Sequence, residues 1–136
     1  MTDAILNFFY SDGVHLVSLY KRADCYDLPS DFKSILEKID REELHQEGKL
    51  NFGFWVSRVI YGILQDRHDN TSVKMCTHPR EDDSSFIFNI DIIPTEDYTN
   101  LKIPIPDSVK IKVVYQSNKA LIFEGLLSEF IKLENI

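Results

Sequence analysis

Asn51-Phe52-Gly53-Phe54-Trp55-Val56-Ser57-Arg58-Val59-Ile60-Tyr61-Gly62-Ile63-Leu64 carries the most regular apolar pattern in the chain. Phe52, Trp55, Val56, Val59, Ile60, Ile63 and Leu64 recur at intervals of three and four without a miss. That spacing lines one side of a 3.6-residue helix and does not fit the two-residue repeat of a strand. A helix is therefore expected over about 52–66, with Asn51 as its N-cap. Phe54 and Tyr61 fall on the flank of the stripe, where they either widen the core contact or form an exposed aromatic edge.

Upstream of it, Phe32, Ile35, Leu36 and Ile39 repeat the helical spacing. Ser30 is expected as an N-cap and Asp31 complements the positive end of the helix dipole, so a first helix should run from 31 to about 44. Before that lie two runs of strand-forming residues, 4–10 and 14–20, joined by Ser11-Asp12-Gly13. Gly is the residue that accepts a positive φ most readily, so this connection reads as a hairpin. Val17 and Leu19 should share one face, Ser18 and Tyr20 the other.

Downstream, the period changes from helical to alternating. Residues 72–76, 86–93, 109–116 and 120–127 read as strands, with Phe86, Phe88, Ile90 and Ile92 on one face of the second and Val109, Ile111, Val113 and Tyr115 on one face of the third. Ser117-Asn118 is placed to turn between the last two strands. Pro94, Pro104 and Pro106 keep 94–107 out of a sheet interior. The final residues, 128–136, fit a strand continuation or a short helix equally well. The order β-β-α-α-β-β-β-β predicts one α+β domain over 1–136, an antiparallel sheet with two helices packed on one face.

Charge narrows the function. The chain has 22 acidic and 15 basic residues, a formal charge of −7. Such a surface repels nucleic acid, whose binding depends on Lys and Arg neutralising phosphates, and attracts a basic protein. No apolar run is long enough for a membrane span, and the start, Met1 to Phe8, lacks the basic region of a signal peptide. Cys25 and Cys76 have no metal-ligand spacing and read as thiols of a reducing compartment, so the cytoplasm is the expected location.

Residues with catalytic chemistry do not assemble into a motif. His15, His45, His68 and His78 form no helix pair of zinc-binding type. His68-Asp69 resembles a metal-phosphohydrolase dyad, but that chemistry draws further ligands from an all-helical scaffold. Glu96-Asp97 after Asp91 could open a nuclease motif, yet Lys102 stands out of place for it. There is no nucleophile elbow, no histidine base beside Cys25 in sequence and no glycine loop for phosphate. The expectation is a protein without enzymatic activity, metal or cofactor.

What remains is acidity in clusters. Glu81, Asp82 and Asp83 precede one predicted strand, and Glu96 and Asp97, next to Tyr98, follow it. Glu42 and Glu43 sit at the end of the first helix, where carboxylates oppose the dipole. These eight residues are the candidate protein-binding surface; solvated loops are the alternative reading.

In size, charge and lack of a catalytic signature the chain is similar to small immunity proteins of bacterial toxin–immunity pairs, including those of contact-dependent inhibition systems. The resemblance lies in this profile and transfers no residue. It implies a cytosolic protein that binds and blocks a basic toxin, often a nuclease. Carboxylates would then fill the toxin's basic cleft, with an aromatic anchor such as Tyr98 beside them. Two other classes stay open: a small-molecule-binding or weakly catalytic α+β domain, and a structural subunit of a larger assembly.

Overall fold

The computed structural model describes residues 3–10, 13–21, 25–43, 52–65, 73–76, 85–92 and 109–136. In chain order these form β1 (Asp3–Tyr10), β2 (His15–Lys21), a 3-10 turn (Cys25–Asp27), α1 (Leu28–Glu43) and α2 (Phe52–Gln65). They continue with β3 (Val73–Cys76), β4 (Ser85–Ile92), β5 (Val109–Tyr115), β6 (Ala120–Leu126) and α3 (Leu127–Phe130). The class is α+β, and each expected strand and helix is present. The chain end adds α3, so the order gains a final short helix.

The six strands lie in the order β3-β2-β1-β4-β5-β6. Four of the five pairings are antiparallel, but β1 and β4 run parallel, from Asp3↔Ser85 to Tyr10↔Ile92. The expected antiparallel sheet is found with one exception, this parallel pair: the sheet is mixed and mostly antiparallel. The physical reason is visible in β1, whose residues Ala4 to Phe8 are all buried. A strand buried on both faces belongs in the sheet interior, which is where parallel pairing is found. The parallel partner must follow a long crossover, and β2, α1, α2 and β3 supply it.

The register sorts side chains by face. Leu6 lies between Leu19 and Phe88, Phe88 opposite Val113, and Ile90 opposite Ile111. These residues join Ala4, Phe8, Phe86 and Val109 in one buried cluster. The same cluster takes in Leu28, Phe32 and Ile35 of α1, Val56, Val59, Ile60 and Ile63 of α2, and Leu127 and Phe130 of α3. The described members of the two stripes read from the sequence are thus core-facing.

Local signals explain the ends. Gly13 has φ of +85° in the β1–β2 connection, the conformation expected of it. In the β5–β6 turn the left-handed residue is Lys119, φ +58°, and Asn118 Oδ1 accepts a hydrogen bond of 3.0 Å from the Ala120 N–H. Ser30 is not the N-cap of α1. The helix starts at Leu28, three residues before the expected Asp31, and the Ser30 hydroxyl donates to the Asp27 carbonyl at 3.0 Å. Pro29 permits this start, because a first-turn residue needs no N–H and its φ is already helical. Among the described residues no helix is long and apolar enough to cross a membrane.

Candidate functional site on the reverse face of the sheet

The face opposite the main cluster carries a polar row across five strands. Ser18 pairs with Asn7, Asn7 with Asn89, Asn89 with Lys112, and Lys112 with Glu124. Ser18 and Asn7 are only 1% and 2% exposed, so their polar atoms need partners inside the protein. They find them in each other. The Ser18 hydroxyl donates to Asn7 Oδ1, and Asn7 Nδ2 donates to Asn89 Oδ1 at 3.2 Å.

His15 completes the chain, with Nε2 at 2.8 Å from Ser18 Oγ. Since the Ser18 proton is directed to Asn7, Ser18 accepts at this contact and His15 Nε2 donates. An imidazole donating to a serine is not poised to take that serine's proton. The chain therefore runs one way, His15 to Ser18 to Asn7 to Asn89, and fixes the spacing of three strands. Phe9 stacks its edge against the His15 ring at 5.6 Å, and Tyr20 donates to Asp3 Oδ2 at 2.6 Å.

Beside this row the same face carries charge. Asp91 lies opposite Lys110, as Lys112 lies opposite Glu124. Burial pushes the Asp91 carboxyl above the usual carboxylate range, and the Lys110 charge pulls it partly back. Because the folded-state pKa is raised, folding favours the protonated acid; the Asp91 contribution to stability should decline as pH rises from the unfolded-state carboxylate pKa through the folded-state value. Replacing Asp91 with Asn should therefore raise the melting temperature slightly near neutral pH. That advantage should shrink as thermal unfolding is followed into acid, and an advantage that grows on acidification would contradict this electrostatic account.

Asp91, Lys110, Lys112, Glu124, Gly125, Leu126 and Glu129 border an open groove of about 310 Å³. Glu129 reaches back from α3 so that its Oε1 accepts the Leu126 N–H at 3.2 Å, satisfying a donor at the helix start. Three carboxylates and two amines border the groove.

Glu42 and Glu43 are the last two residues of α1. Glu81, Asp82, Asp83, Glu96, Asp97 and Tyr98 lie outside the described residues. Tyr61 is exposed on α2, with the Arg58 guanidinium 5.5 Å from its ring centre. The reverse-face row was not anticipated, although its signal is in the sequence: Asn7, Ser18 and Asn89 each interrupt an apolar strand run. Among the described residues no group of three or more His, Cys, Asp or Glu could hold a metal ion. Set against protein-family models, curated proteins and solved structures, the chain matches none.

Proposed function

We propose that this chain is a non-enzymatic protein-binding domain that neutralises a basic bacterial toxin, as an immunity protein does. The observation that carries the proposal is the excess of 22 acidic over 15 basic residues. A field of that sign draws a basic protein toward the surface and speeds the encounter. On this reading Glu42 and Glu43, together with the clusters Glu81-Asp82-Asp83 and Glu96-Asp97-Tyr98, supply the contacts, and the protein works in the cytoplasm without metal or cofactor.

The test begins with the neighbouring gene. Its product should be lethal when expressed alone and harmless when expressed with this chain. The purified pair should form a 1:1 complex whose affinity falls steeply between about 0.05 and 0.5 M salt, as the screening length shrinks. A harmless neighbour, or a toxic one whose product this chain does not bind, rejects the proposal.

One observation favours a second reading. The groove of about 310 Å³ between Asp91, Lys110, Lys112, Glu124 and Glu129 is within the usual size of a small-molecule site. A clear upward thermal shift with a metabolite, lost on substitution of Lys112 and Glu124, would favour a ligand-binding domain over an inhibitor.

A further inference from the structure

In the sheet order, β6 has β5 on one side and no described strand on the other. The main-chain N–H and C=O groups along such an edge are a template for another strand. β6 offers seven residues, whereas β3 at the opposite edge offers four. It also offers apolar surface: neighbouring Leu121 and Ile122 are 57% and 40% exposed. The register shift opposite Val113 and Val114 leaves Ile122 as the extra residue of a bulge.

Edges that must stay unpaired are commonly guarded by Lys or Pro. β6 has neither; apart from the bulge, its one guard is Glu124. That residue also speaks about the occupant. Glu124 is exposed, and exposed Glu129 follows it in α3. A second copy pairing along β6 would bring two chains of charge −7 together. A basic strand meets opposite charge instead.

We infer that the outer edge of β6 takes up an extended, lysine-rich segment of a protein partner as an added strand, its apolar side chains covering Leu121 and Ile122. Main-chain hydrogen bonds would supply affinity, and Glu124 and Glu129 the preference for lysine. The inference rests on the basic-partner reading above and adds the place and manner of contact.

The test uses the full chain, isotope-labelled for NMR, and a synthetic Lys–Val peptide of about eight residues, valines in one half and lysines in the other, long enough for one strand. A Glu–Val peptide of the same length is the control. The Lys–Val peptide should shift the amides of Leu121 to Leu126 and slow their hydrogen exchange. It should bind at least about tenfold more tightly than the Glu–Val peptide. A double variant, Leu121→Lys with Ile122→Lys, should keep the thermal unfolding of the wild type, since both side chains are exposed, and lose the response.

Shifts confined to the end of α1 would overturn the edge assignment while leaving the charge reading standing. No binding of the basic peptide anywhere would sink both. An equal response to the two peptides, an unchanged response in the double variant, or concentration-dependent self-association through β6 would each overturn the inference.

Discussion

Phe130→Ala should lower the free energy of unfolding by about 3–5 kcal/mol, the range for emptying a buried aromatic site. Phe130 is fully buried, and its ring centre lies 5.9 Å from that of Phe32, 6.1 Å from Phe88 and 5.4 Å from Phe123. Those three rings belong to α1, β4 and β6, so one side chain ties a helix to two strands of the sheet. The helix bearing it has four residues, far too few to be stable alone. Without its anchor, α3 should detach, and the loss should include its whole docking contact. Domains of this size are commonly stable by about 5–15 kcal/mol, so the variant is expected to unfold at a much lower urea midpoint. A loss below about 1 kcal/mol would mean that neighbouring side chains close the gap and that α3 does not seal the core.

The second large effect is expected where α1 meets α2. A Cβ on Gly62 would stand 2.6 Å from Ile35 Cγ1, with Cδ1 at 3.0 Å and Cγ2 at 3.1 Å. These are contacts with the branch of a buried side chain, not with a flexible tip. The absence of a side chain at 62 is what lets the helices approach this closely. Gly62→Ala would gain about 1 kcal/mol in helix propensity, set against about 1–3 kcal/mol from overpacking. Gly62→Val has less propensity to gain and more volume to place, so it should cost about 3 kcal/mol.

A double-mutant cycle separates the clash from other causes. Ile35→Ala alone should cost about 2–5 kcal/mol. In the Gly62→Ala background it should cost less, by about 1 kcal/mol or more, because the new methyl fills the space vacated. Strict additivity in denaturant unfolding would show that the two residues do not press on each other.

Both effects arise at places that sequence reading reaches unevenly. The stripe from Phe52 to Leu64 and the alternation from Phe86 to Ile92 were legible because period is a local property, written within a dozen residues. The start of α1 was misplaced by three residues, since Ser30 offers capping chemistry while Pro29 is equally content inside the first turn. The direction of β4 relative to β1 was not legible. Alternation states which side of a strand is apolar and is silent about which strand lies beside it.

The candidate site divides in the same way. Asn7, Ser18 and Asn89 each look like a blemish in an apolar strand, and only the register β2–β1–β4 assembles them into one hydrogen-bonded chain. Of the acidic residues proposed for binding, Glu42 and Glu43 are placed at the end of α1 by a helix period the sequence displays. Glu124 and Glu129 were passed over because single carboxylates in a strand and a short helix form no cluster. Their relation to the exposed edge depends on β6 being outermost, which is a fact of sheet order.

The central position of β1 has a consequence for biosynthesis. Asn7 meets Ser18 eleven positions along the chain but Asn89 only 82 positions along. As the chain leaves the ribosome, the first two strands can join at once, whereas the other flank of β1 must wait until β4 emerges, several seconds later at ordinary elongation rates of about 5–20 residues per second. During that interval a strand of Ala, Ile, Leu and Phe has one open side, and its completion involves a long loop closure. Nascent chains stalled shortly before Ser85 should accordingly be the species most prone to capture by chaperones.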